Sequence, residues 1–463
     1  MIVLEQLLKL GLNQAQDGGA DYAEIMAMER KEKKLCFENG EVACNQCSDT
    51  AGLTVRVLVA GRWGFASAPM GGKATVRKLV AGAIAGASFA PEPWRPVRLS
   101  ACFPTQGEWA SPCQIDPFAL PGAKLLEMLR AADDAMNIEG IQRRVAGLTF
   151  RRDTQLYLNS EGTRTSQVFT QSGGGISAWA LGPGESQQRS WPCPGGSFAG
   201  QGYEYILELD LPGNGGRIAR EAVALTKATP CPDAITDLIL SGSQLAVQIH
   251  HTCGARAQLG ATGSFALEGL GEIRFGSPLL TIYADATAPG LAGSFAYDQE
   301  GTKAQAFALV REGKVVNFLS GREHAAAIGR FSSGAMRSVS WSRPPSPQMT
   351  NLILQPGRGS LDDLIASTDR GILLDSARSF CIGPNRQGFV AQAELGWLIE
   401  GGKIKELVKN PIYIGYPTAF WSGCDAIAGP DQGQMFGLAD AGLAVGHKVV
   451  PLRIRGVKVG TWR

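Results

Sequence analysis

Glycine and proline punctuate this chain so densely, 59 and 25 of them in 463 residues, that a bundle of long helices is excluded. Glycine weakens a helix interior and proline breaks one, while both supply the backbone angles of tight turns between strands. A β-rich or mixed fold is the first expectation, and the length suggests two or three domains. Lys and Arg number 44 against 42 Asp and Glu, for a net charge of +2. Since both signs are interspersed, no extended basic field exists to collect phosphates, and a nucleic-acid partner is not expected.

Period and turn signals place the elements. The amino terminus, from Ile2 to Gln16, reads as an amphipathic helix rather than a signal peptide, because it lacks a basic leader and a continuous apolar core. Three strands follow, with turns at Asn39-Gly40 and Ala60-Gly61 and clear alternation through Leu53, Val55, Val57 and Val59. Helices are predicted over Thr75 to Ala87, Ala123 to Asn137 and Ile218 to Ala228, with strands near Gly147 to Ser177. The Gly-, Pro- and Ser-dense stretch LGPGESQQRSWPCPGGSFAGQGYE suggests a domain boundary, giving an N-terminal α/β domain over 1–200 and a C-terminal β-rich mixed domain over 201–463. The fold class is therefore α+β. No run of about twenty apolar residues could span a membrane, and with no export signal the ten cysteines are expected to be reduced thiols of a cytoplasmic protein. Cys44 and Cys47 form a lone C-x-x-C with no second pair to complete a zinc site, and read as incidental thiols along a strand.

Seven segments in order, GADYAEI, GLTVRVLVAGRWGFASA, YLNSEGT, DLILSGSQLAVQIHHTCGARAQLG, the stretch from SPLLTIYADA to FLSGRE, PQMTNLILQPGRGSLDDLIAS and GFVAQAELGWLIEGGKI, resemble the TldD/PmbA family. That family contains zinc peptidases and metal-free relatives, also called TldE, and some members are described as modulators of DNA gyrase. The resemblance implies an N-terminal α/β part, a C-terminal β-rich part and an extended peptide in the cleft. It also implies a dimer, either of one chain or of a zinc-bearing TldD-like chain with a metal-free one.

Zinc-bearing members carry H-E-x-x-x-H on the helix after DLIL. The two imidazoles hold the metal, and the glutamate takes a proton from the attacking water. That spacing sets the two ligands about 140° apart on an ideal α-helix, so the site needs a locally widened turn. Here the matching residues read HHTCGA. His250 keeps the first ligand position, His251 replaces the base and Ala255 the second histidine, and no cysteine follows Cys424 to serve as the third ligand. The resemblance thus implies a degenerate site with no catalytic residue and no zinc, and a chain that is a metal-free, non-catalytic subunit or peptide-binding partner in a peptidase complex. The alternative is an active metallopeptidase with an altered site. For that alternative His250, Cys253 and His447 are the candidate ligands, with Glu268 or Asp285 as base. His250 and His251 otherwise line the inherited cleft, and Arg337 and Asn351 are candidate peptide contacts. His324 reads as a solvated surface residue. No G-x-S-x-G elbow or phosphate loop is present.

Overall fold

A computed structural model describes residues 2–89, 96–258, 270–383, 387–440 and 442–462. Helix α1 (Ile2–Asp17) buries Leu8, Gly11, Leu12 and Ala15, the i, i+3, i+4, i+7 stripe expected of an amphipathic helix. It leads into an eight-stranded sheet whose path is β3-β2-β1-β5-β6-β4, with two further strands on β6. The members are β1 (Tyr22–Glu38), β2 (Glu41–Val59), β3 (Arg62–Pro69), β4 (Gln106–Ala110), β5 (Ile141–Asn159), β6 (Arg164–Gly182), β7 (Glu185–Trp191) and β8 (Ser197–Ala199). Both predicted hairpin turns are present. Asn39 and Gly40, then Ala60 and Gly61, take positive φ as a two-residue turn of the primed kind requires.

Strands β1, β2, β5 and β6 are 17 to 19 residues long, and that length organises the first half of the molecule. One end of their helical face is covered by α1 and α2 (Lys73–Phe89), over Ala23, Ile25 and Ala27. The other end is covered by α3 (Gly122–Ala135) and α5 (Leu211–Leu225), over Leu35 and Phe37, with α4 (Glu204–Leu209) beside them. A single sheet therefore carries two apolar cores, each fully buried Leu or Phe contributing about 1.5–3 kcal/mol.

The Gly- and Pro-rich stretch expected to divide the domains lies inside this sheet instead. It forms the β6–β7 turn, β7 and the strap β8, and Gly196 passes so close to Gly174 that a Cβ there would meet backbone at 2.6 Å. Its glycines serve a close crossing rather than a linker. Because α5 packs on β6 and β7, the chain leaves the first body only after Leu225.

The second body is built around β9 (Ala234–Leu240), parallel to β13 (Arg370–Leu374) and antiparallel to β18 (Leu452–Thr461) in a ten-stranded sheet. That sheet also holds the hairpin β14 (Ala377–Ile382) and β15 (Phe389–Ala393). A six-stranded sheet holds β10 (Ile282–Asp285), β11 (Ala306–Arg311), β12 (Leu352–Leu354), β16 (Gln434–Asp440) and β17 (Leu443–Val449). With 24% helix and 43% strand, the molecule is α+β. Among the described residues no helix is long and apolar enough to cross a membrane.

The two bodies meet along the other face of the first sheet. There Arg56 of β2 forms salt bridges of 2.6 Å to Glu24 of β1 and of 2.6 Å to Glu300 of the second body. Arg30 of β1 bridges to Asp153 at 2.7 Å and donates to the Val339 carbonyl at 2.8 Å.

Candidate functional site

The site begins at the end of β9. The chain turns sharply through Gly242, whose φ of +56° and closeness to the Asp375 carboxylate leave no room for a side chain. Helix α6 (Gly242–Ile249) then runs against β14, β16 and β17. Residues His250–Gly254 continue it as a π-turn, closed by the Ala255 amide donating to the His250 carbonyl five residues back. The widened turn that the motif's spacing demands is therefore present, although the motif's second ligand and its base are not.

Polar side chains on the buried face of this helix hold it in place. Gln244 donates to the Tyr413 hydroxyl at 2.9 Å, Tyr413 donates to Gln248 at 2.8 Å, and Trp421 donates to the Thr252 hydroxyl at 2.9 Å. Their spacing of four residues is a helix-face signal that could have been read in the sequence and was not. Gly254 is required as well, since a Cβ there would press on Leu352 and Met349 at 2.5 Å.

His250 and His447, 197 residues apart in sequence, are brought together. His250 Nδ1 lies 3.2 Å from His447 Nε2, and His250 Nε2 lies 3.8 Å from Asp440 Oδ2. His447 stands at the centre of β17, opposite Leu352 on one side and Phe436 on the other, and is fully buried. Burial, and after it the neighbouring His250, hold its pKa well below the usual histidine value, so it is a neutral imidazole at physiological pH. His251 faces elsewhere. Its ring stacks on Phe380 at 4.6 Å, and Phe380 stacks in turn on Phe389 at 5.5 Å. Phe389, Ile414, Tyr416 and Phe420 line a largely apolar groove of about 700 Å³ beyond that stack.

The remaining sequence candidates separate by geometry. Cys253 belongs to the apolar core, where burial pushes its thiol up to about 12, so it does not join the histidines. Asn351 is fully buried, and all four of its hydrogen-bonding positions are taken by the protein. It donates to the Asp285 carbonyl at 2.6 Å and to the Ser294 hydroxyl at 2.8 Å, and accepts from the Gly293 amide at 2.8 Å and the Gly446 amide at 3.2 Å. It braces loops and has nothing left to offer a peptide. Arg337 donates to the Met349 carbonyl at 2.6 Å and the Ala444 carbonyl at 3.1 Å, on the seam between the two bodies. The Asp285 carboxylate accepts from Thr287, and Glu268 lies outside the described residues. His324 is half-buried rather than solvated, on the short helix Arg322–Ala326. Cys44 and Cys47 lie along β2, the second exposed, with Cys44 opposite Cys36 of β1.

Comparison with known proteins covers nearly the whole chain. Three models of one family match: PmbA/TldA metallopeptidase domain 1 over residues 23–87, the central domain over 115–229 and the C-terminal domain over 235–461. A metalloprotease from Methanothermobacter thermautotrophicus is 28% identical over 449 residues, 95% of either chain. A crystal structure of a candidate modulator of a DNA gyrase from Thermotoga maritima is similar at a TM-score of 0.81 and 16% identity, covering 98% of this chain and 100% of that one. TldE from Thermococcus kodakarensis is similar at 0.75 and 17%, covering 99% and 100%. The last two likenesses are of fold.

Proposed function

Because the chain belongs to the PmbA/TldD metallopeptidase family, we propose that it is a metal-free, non-catalytic member of it. In this reading it binds an extended peptide and assembles in the cytoplasm, either with a zinc-bearing TldD-like chain or with a second copy of itself, as a subunit of a peptidase complex. The supporting observation is the state of the motif on an intact frame. The π-turn persists, yet Ala255 presents a methyl where the second imidazole would stand, and a methyl cannot bind zinc. His250 Nδ1 is engaged by His447 Nε2, and among the described residues no group of three His, Cys, Asp or Glu side chains is placed to hold a metal. The residues present do not fit the family zinc, and no hydrolytic step is derived through it. The base is missing too, since His251 replaces the glutamate and stacks on Phe380.

One observation favours the rival reading of a peptidase with an altered metal set. The 3.2 Å between the two imidazole nitrogens is as compatible with two ligands of one tetrahedral ion as with a hydrogen bond. Metal analysis separates the readings. The purified chain is expected to hold far less than one equivalent of zinc, with no change in a His250→Ala variant, and to co-purify with a zinc-bearing chain when both are expressed. Stoichiometric zinc that disappears in the variant would establish the rival.

A further inference from the structure

The seam between the two bodies holds a half-buried positive charge with no counter-ion in contact among the described residues. A small cavity of about 40 Å³ lies there, walled on one side by β5 and β6 and on the other by Phe295, Asp298, Arg337 and the start of β17. Three charged residues of its wall besides Arg337 can be followed to their partners. Asp153 is bridged by Arg30 at 2.7 Å, and Arg151 by Glu32 at 2.7 Å. Asp298 accepts from the amides of Glu300, Thr302 and Met336, and burial, with Glu300 beside it, pushes its carboxyl up to about 8, so it is mostly neutral near pH 7 and does not balance the guanidinium.

Arg337 is different. Among the described residues it has no carboxylate within 4 Å, and its acceptors are the main-chain carbonyls of Met349 and Ala444. A guanidinium carries five N–H donors in a planar fork, so two carbonyls neither satisfy the fork nor balance the charge. Burial lowers its pKa to about 10, with Asp440 the charge that partly offsets this from a distance. The side chain keeps some exposure, so a ligand can reach it from solvent. Phe295 lies 5.8 Å from the guanidinium, an apolar neighbour that strengthens any ion pair formed beside it.

We propose that Arg337 and this cavity form the subsite for a carboxylate of the bound peptide, supplied by its C-terminus or by an acidic side chain. The inference rests on the peptide-binding reading above. A planar carboxylate matches the guanidinium fork in two parallel hydrogen bonds, and it supplies the charge the wall lacks. The position also suits a ligand that extends past His250, because Asp440, which faces His250, and Ala444, which accepts from Arg337, lie at the two sides of the β16–β17 turn.

Calorimetry on the full chain tests it with three N-acetylated peptides: pentaalanine as the free acid, pentaalanine amide, and Ala-Ala-Asp-Ala-Ala amide. At least one of the two carboxylate peptides is expected to bind tenfold or more tighter than the neutral amide, and whichever does identifies the source of the carboxylate. That gap should close in Arg337→Met, and part of it should return in Arg337→Lys, while the neutral amide binds all three proteins alike. Equal binding of the three peptides to the unmodified chain overturns the subsite and leaves the peptide-binding reading standing. Binding of none of them overturns both.

Discussion

Arg56 and Arg337 occupy the same seam, yet their surroundings are opposites. Arg56 sits between two carboxylates, Glu24 and Glu300, each at 2.6 Å, and so locks β1 and β2 to the second body. Arg337 holds a comparable charge against two carbonyls, with no acid in contact among the described residues. A guanidinium closed by its own protein is a structural rivet, whereas one left open to solvent is a place where something else belongs. The contrast separates stability from recognition along one interface.

The sharpest way to break it is Arg56→Met. Loss of the cation strands two buried carboxylates, and the variant should lose about 3–5 kcal/mol of stability in denaturant unfolding. A loss below about 1 kcal/mol would show that the two acids find other relief. Asn351→Ala comes next, at about 2–4 kcal/mol, because two loop amides and a carbonyl lose their partner together. If Asn351 met peptide instead, the variant would keep its stability and lose affinity.

A smaller effect follows from pH. His447 is neutral in the folded protein, its pKa depressed by burial and by His250, while the unfolded chain takes up a proton near pH 6.5. Its contribution is present above that value and is lost as pH falls through it, with a slope of at most about 1.4 kcal/mol per unit. Thermal unfolding from pH 7 to 5 should record the decline, and His447→Asn should flatten it. The smallest change is expected for Arg337→Met without ligand, within about 1 kcal/mol of the parent, since an unbalanced charge leaves with the side chain. A loss as large as that of Arg56→Met would erase the distinction.

Legibility from sequence divides along similar lines. The hairpin turns, α1, α2 and α3 were readable, because each rests on a local signal: an Asn-Gly or Ala-Gly pair or an apolar stripe. The great length of β1 was not. Tyr22–Met28 is buried on both faces, the next residues are charged, and no alternation marks the passage. The supposed linker misled because a close strand crossing and a flexible joint both call for glycine. At the site, the motif predicted the widened turn, and the resemblance placed His250 and His447 near one cleft. The arrest of Cys253 in the core and the full engagement of Asn351 depend on neighbours more than fifty residues away, which no local pattern encodes.

The π-turn carries one more consequence. It is held from its buried side by side-chain hydrogen bonds of Gln244, Gln248 and Thr252 with Tyr413 and Trp421, none of them a ligand or base position of the motif. Frame and chemistry are thus mutationally independent: ligand residues can be lost without unravelling the helix, and chelators should leave its melting untouched. The same independence makes the chain a ready host for reinstalling a reaction by side-chain replacement alone.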